Sequence, residues 1–231
     1  MSQWDSPYLL AAVKALAVRP TTDATMPDSA WYLLLELAQT KWTNIFASQV
    51  PWVMMGAPTA LSSADGGVTF TFPGGIQPLA VEVYDATGPA RLLRPGAYFD
   101  ASADYVWEGS VIRFPQNLGN TAGFNMVARW VAPPGVLNAS NPPTLQPPHA
   151  RQLLIYRAVA QWAAQGGMRD PGGYVQLEHD LWMGNPAIGD PGLLGALKLQ
   201  NSFLGGMAMM TTSGGILDGV DTGLGYRGMV P

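Results

Sequence analysis

Apolar residues change their spacing twice along this chain, and a chain that does so must build two kinds of structure. Trp31, Leu34, Leu35, Ala38, Trp42, Ile45 and Phe46 recur at helical intervals, which predicts one amphipathic helix with a single apolar stripe. Glu36, Gln39 and Lys41 fall elsewhere on that wheel. Thr25 or Asp28, around Pro27, opens the helix and Pro51 ends it, since proline cannot continue the hydrogen-bond ladder. From Val68 the spacing becomes strict alternation, in Val68-Thr-Phe-Thr-Phe72 and again in Leu79 to Tyr84. Further strands are predicted at Tyr98 to Asp100, Val106 to Phe114 and Asn125 to Val131, with Pro95-Gly96, Glu108-Gly109 and Gln116 to Gly119 read as turns. Helical spacing then returns, from Pro147 or Pro148 through Leu154, Ile155, Ala158, Val159 and Trp162 to the glycine pair at 166 and 167.

The expected fold class is therefore α+β: a helical bundle body with an inserted small antiparallel β-sandwich or barrel, and an extended C-terminal arm. Residues 1–60 supply N-terminal helices, beginning with a short one in which Ser6 caps, Pro7 takes the first turn, and Tyr8, Ala11, Ala12 and Ala15 form a thin apolar face. Residues 61–132 form the β-insert, and 133–204 hold a Pro-rich spacer and the C-terminal helices. The prolines between 132 and 148 predict a stiff, extended connector of defined reach. Short helices are expected from about Gly173 to Met183 and from Asp190-Pro191 through Leu193, Leu194, Leu197 and Phe203.

Residues 205–231 form the arm. It is rich in glycine, yet carries Met207, Met209, Met210, Ile216, Leu217, Val220, Leu224, Tyr226 and Met229. A solvated tail is normally charged and poor in such side chains, so these nine are candidate interface residues that lie on another surface. The rest of the composition points the same way. Only 12% of residues are charged, about half of the ~25% usual for a soluble globular chain. Arginine outnumbers lysine nine to three, and there are eight tryptophans and eleven methionines, the bias of buried interfaces rather than of free surface. A loop-rich secreted protein is the compositional alternative.

Several functional classes are disfavoured. The net charge of −4 has no basic run behind it, so sequence-reading of nucleic acid is not expected. Cysteine is absent, which removes disulfides, thiolate metal ligands and thiol nucleophiles. The residues Met1 to Asp5 have neither a basic nor an apolar signal region, and no apolar run approaches the ~18 residues a membrane span needs. The two histidines are His149 and His179. Glu178, His179 and Asp180 are consecutive, and successive helical residues diverge by about 100°, so the three do not converge on a metal. No phosphate-binding loop or nucleophile elbow occurs. Asp218 with Asp221, and Asp100 with Asp104, read as turn chemistry rather than ligand sets. No cofactor, metal or catalytic residue is expected, and neither is an enzyme.

Two segments resemble tailed-bacteriophage structural proteins. Leu79 to Ala90, Pro95-Gly-Ala-Tyr-Phe-Asp100, Gly109-Ser-Val-Ile-Arg-Phe-Pro115 and Asn125-Met-Val-Ala-Arg-Trp130 resemble the strand rhythm of their β-modules. Pro147-Pro-His-Ala-Arg-Gln-Leu-Leu-Ile-Tyr-Arg-Ala-Val-Ala-Gln-Trp162, followed by short helices and a Gly-rich arm, resembles the helical body of head-to-tail adaptors, also called connectors. The resemblance implies a virion protein assembled in the host cytoplasm. It would be a homo-oligomeric ring, commonly of twelve copies, that joins the portal protein to tail or neck proteins and lets double-stranded DNA pass without sequence contacts. It implies that helices 27–49 and 147–166 form the body, that the β-insert faces capsid or tail, and that the arm reaches the portal or a neighbour. Arg151, Arg157 and Arg169 become candidates for ion pairs between subunits. Two other readings stand beside it: a different neck or tail component (tail completion, tail tube or fibre attachment), and a monomeric binding module or hydrolase with a scattered site.

Overall fold

The computed structural model describes residues 4–18, 26–63, 65, 69–86, 91–96, 103–114, 126–166 and 170–201. The strand expected at Tyr98 to Asp100, Arg169 and the whole arm 205–231 lie outside them. Among the described residues the fold is α+β, with helices at both ends of the chain and strands between.

The first helix, α1 (Ser6–Leu16), is capped by Asp5, whose carboxylate accepts the Tyr8 N–H at 3.0 Å. The cap thus lies one residue before the expected Ser6. Ser6 is itself buried and donates its hydroxyl to the Asn141 carbonyl at 2.6 Å. The helix also buries a different face from the one expected: Leu9, Val13 and Ala17 point inward, while Tyr8, Ala11 and Ala15 point out. Leu9 and Val13 bury more apolar area than alanines can, and area decides which stripe turns in.

The second helix, α2 (Asp28–Gln49), follows expectation closely. Trp31, Leu34, Leu35, Ala38, Trp42 and Phe46 are buried, and Ile45 packs against the same core half-buried. Pro51 starts a single 3-10 turn through Val53. Lys14, near the end of α1, is buried and ion-paired to Asp28 at 2.5 Å, joining a helix C-terminus to a helix N-terminus with favourable sign at each.

The third helix, α3 (Gln152–Ala164), is entered through a 3-10 turn at Pro148–Arg151 and buries Leu153, Leu154, Ile155, Ala158, Val159, Ala160, Trp162 and Ala163. A helix buried on so many sides is the centre of its layer, and α1, α2 and α4 (Pro171–Met183) all pack on it. Asp170 caps α4 by accepting the Gly172 N–H at 3.0 Å. A further helix, α5, covers 192–201 and adds Leu193 and Leu197 to the same core.

Between β-region and α3, residues 132–147 are not the free-standing spacer that the prolines suggest. They form a strap bound along α2. Leu137 and Leu145 are buried in the helical core, and the strap's backbone is held by polar residues of α2. Gln39, only 1% exposed, accepts the Thr144 N–H at 2.9 Å and donates to the Gly135 carbonyl at 3.4 Å. Glu36 accepts the Leu137 N–H at 3.3 Å. A Pro-rich strand has no partner strand, so side chains must satisfy its buried polar atoms. Gln39→Leu keeps the volume and removes both bonds, and should lower stability by about 1–2 kcal/mol, read by urea unfolding. A change under a few tenths of a kcal/mol would mean the strap is not held there.

Among the described residues the β-region contains eight short strands where five are expected. They are β1 (Thr59–Ala60), β2 (Thr69–Thr71), β3 (Ala80–Asp85), β4 (Arg91–Leu92), β5 (Pro95–Gly96), β6 (Tyr105–Glu108), β7 (Val111–Arg113) and β8 (Met126–Val131). They form two open four-stranded sheets, ordered β1-β8-β3-β4 and β2-β7-β6-β5; neither closes into a barrel. The longest pairing is β3 with β8, antiparallel from Ala80↔Val131 to Asp85↔Met126. Val83, Met126 and Ala128 of one sheet share a core with Phe70, Tyr105 and Ile112 of the other. Phe72 links the two layers, with Trp107 and Trp130 each 5.2 Å away edge-on.

Pro95-Gly96, expected as a turn, is instead an edge strand parallel to β6. An edge tolerates proline because no ladder donor is lost on the open side. Tyr105 is 1% exposed, and burial, reinforced by Asp104, pushes its phenol up to about 12. The neutral phenol is therefore favoured in the fold. The unfolded chain ionises from about pH 10 and the folded one only near 12, so folding loses about 2–3 kcal/mol across that window. Tyr105→Phe should flatten this alkaline loss in unfolding curves taken from pH 9 to 12; an unchanged slope would assign it elsewhere.

Candidate interaction surfaces

The most concentrated polar chemistry in the described chain surrounds Glu178 on α4. Its face of the helix (Tyr174, Glu178, Leu181, Trp182) packs on the body, which leaves the carboxylate 3% exposed. Lys41 lies 2.9 Å from Oε1, the Trp42 indole N–H donates to the same oxygen at 2.8 Å, and Arg157 lies 3.6 Å from Oε2. Next to it, Trp182 packs at a tilt against Trp42 and Phe46, with ring centroids 5.1 and 5.0 Å away. One carboxylate therefore ties α2, α3 and α4 together, with an aromatic cluster beneath it. This is an architectural arrangement: both oxygens face cations or an indole donor of the chain itself.

The arginines expected to pair between subunits are placed as follows. Arg157 Nη1 lies 3.6 Å from Glu178 Oε2, with the side chain 30% exposed. Arg151 is nearly buried, donating from Nε to the Leu145 carbonyl and from Nη1 to the Trp4 carbonyl, both at 2.9 Å. Desolvation lowers the pKa of its guanidinium, and Asp5 partly offsets that. It clamps the strap and Trp4, two residues before α1, onto the start of α3. The third, Arg169, is outside the described residues, as are all nine apolar arm residues. Sequence reasoning missed Glu178 as a buried group. Its position four after Tyr174 and four before Trp182 was the available signal.

Among the described residues, no group of three or more His, Asp or Glu is placed to hold a metal ion. His149 and His179 are exposed, and His179 meets only Asp180, at 3.5 Å. Asp104 accepts the Arg94 N–H at 2.9 Å, ten residues away in sequence and beside the paired β5 and β6, so it is not a turn bond. Asp100, Asp218 and Asp221 are not among the described residues. No helix of the described residues is long and apolar enough to cross a membrane.

What the body does present is apolar surface. Ile188 is 77% exposed at the tip of the α4–α5 corner, and Val136 on the strap is 66% exposed. Leu33 and Leu37, one turn apart on α2, are open, as are Val175, Leu177 and Met183 of α4 and Leu199 of α5. Two clefts accompany them. One, of about 550 Å³, is lined by Ile76, Pro78, Leu79, Ala132 and Pro133 where the chain enters β3 and leaves β8. The other, of about 330 Å³, lies between Trp52 and Val53, Gln146 and Pro147, and Leu197, Gln200 and Asn201. No protein-family model matches the chain, and no curated protein matches it either.

Proposed function

We propose that this chain is a structural subunit of a homo-oligomeric assembly, specifically the head-to-tail adaptor ring of a tailed bacteriophage. In that role it joins portal to tail in the virion and lines the path of double-stranded DNA. The observation that carries the reading is the open apolar surface of the helical half, with Leu33, Leu37, Val136, Ile188 and Leu199 all more than 45% exposed in a chain with only 12% charged residues. Scattered exposed apolar side chains are ordinary. Together with so few charges, they favour a surface covered by neighbours. The helical body with an open two-layered β-insert fits the same reading: a rigid core bundle makes the ring, and the β-layers and the arm from Gly205 onward make the attachments.

The test is the native mass of the full chain, measured alone and after mixing with a portal protein. The expected result is a closed homo-oligomer, of about twelve copies if the resemblance extends to stoichiometry. A single-copy mass under both conditions would sink the assembly reading. A defined assembly that fails to bind the portal would move the chain to another neck or tail position.

A further inference from the structure

We propose that the outward face of α2 pairs with the same face of a second copy of this chain, antiparallel, across a two-fold axis at the helix midpoint. Apart from its two end residues, α2 exposes Ser29, Leu33, Leu37, Thr40, Asn44 and Ser48. None of these is charged, although the solvent face of a helix normally is. Leu33 and Leu37 are 56% and 48% exposed, and Val136 of the strap is 66% exposed. Val136 lies beside them, because its neighbours Gly135 and Leu137 are hydrogen-bonded to Gln39 and Glu36 of the helix. Thr40 and Ser48 donate their hydroxyls to the Glu36 and Ile45 carbonyls, at 3.0 and 2.9 Å, so covering them leaves neither donor without a partner.

The spacing selects the occupant. The exposed residues follow one another at steps of four, four, three, four and four, the alternation of a helix–helix seam. That order reads the same in both directions. Its centre, between Ala38 and Gln39, is also the centre of Asp28–Gln49. An antiparallel copy therefore presents Thr40 to Leu37, Asn44 to Leu33 and Ser48 to Ser29 along the whole helix. A two-fold contact sets groups near the axis against their own copies, so a charge there would meet its own sign, and this face has none. The 22 residues of α2 span about 33 Å. A seam of that length, with Val136, covers roughly 1,000 Å² over both copies, the lower end of specific interfaces. Such a contact closes at two copies, so it is separate from the heterologous contacts that build a ring.

The full-length chain, without a portal protein, is expected to dimerise in sedimentation with a Kd of about 1–10 µM. Leu37→Arg and Leu33→Arg, both at exposed positions, should each raise that Kd at least about tenfold at unchanged helical content. Leu177→Arg on α4 should leave it as it is. The absence of cysteine lets the orientation be read. In the antiparallel pair a residue at 40 lies about 4.5 Å along the helix from its own copy, and one at 48 about 28 Å. A short bifunctional thiol reagent should therefore join two copies of Thr40→Cys and fail to join Ser48→Cys. A single-copy mass at about 100 µM overturns the proposal, and so does a dimer that both arginine variants leave intact. Equal cross-linking at 40 and 48 overturns the antiparallel pairing. A larger ring that keeps its mass in both arginine variants, with no dimer on dilution, overturns this contact and leaves the ring reading standing. A dimer that never enlarges with a portal protein does the reverse.

Discussion

Glu178→Ala should lower the unfolding free energy by about 3 kcal/mol, an effect expected at few other polar positions of this chain. The substitution removes the Glu178 oxygen that accepts from the Trp42 indole, and Trp42 is 3% exposed. A buried donor left without a partner costs about 1–3 kcal/mol, and the space vacated beneath Lys41 and Arg157 adds a cavity contribution. The full penalty for breaking a buried ion pair does not apply. Side-chain exposures of 36% for Lys41 and 30% for Arg157 let both cations turn toward water. Glu178→Gln keeps an acceptor for the indole and loses only the charge, so its cost should be nearer 1 kcal/mol. In thermal unfolding, the alanine variant should melt roughly 6–12 °C lower for a chain of this size. If the two variants are equally destabilised, the indole bond is not what Glu178 contributes. A Glu178→Ala, Trp42→Phe double-mutant cycle would measure that bond separately.

Gly192→Ala should cost a comparable amount, about 3–4 kcal/mol, through the backbone alone. At the corner between α4 and α5 the chain folds back on itself. Gly184 and Gly192 have φ of +77° and +60°, and a Cβ on Gly192 would lie 2.2 Å from the Gly184 nitrogen, 2.5 Å from the Met183 carbonyl carbon and 2.7 Å from the Trp182 oxygen. All three are backbone atoms at the end of α4, and none can rotate aside. The corner is locked from within: Asn185 accepts the Ala187 N–H at 3.0 Å, and Asp190 accepts the Gly192 N–H at 2.9 Å. A methyl group here must therefore open the corner, and with it the loop that presents Ile188. Hydrogen exchange across 183–192 should speed up more than in α3. Gly173→Ala, whose Cβ meets nothing within 4 Å, is the matched control. It should be neutral or stabilise α4 by up to about 1 kcal/mol. If the alanine at 192 is as well tolerated as the one at 173, the close approach of the two glycines is not a real constraint.

Where side-chain burial alone set the outcome, the sequence was legible. The α2 stripe, the inward face of α3 and the existence of strands near β3 and β8 were readable, because large apolar side chains repeated at a fixed period favour one buried face. It was less legible where a neighbour set the outcome. Nothing local marks Thr59–Ala60 as a strand; it exists because β8 offers it an unpaired edge. Pro95-Gly96 reads as a turn until β6 lies alongside it. Gln39 reads as a solvent-facing residue until the strap crosses α2 and brings two backbone groups to it.

By itself, then, the sequence determined that this protein has helices at both ends and strands between, few charges, and an apolar Gly-rich C-terminal segment. Those properties are sums or periods over many residues, and local chemistry dictates them. Only the tertiary structure decided that Glu178 is a buried tie among three helices, that Arg151 and Arg157 meet partners within the chain, and that the prolines of 132–147 make a bound strap. The physical reason is that a polar group's role depends on which partners reach it. Those partners can lie 147 residues away in sequence, as Trp4 does for Arg151, and no local pattern records them.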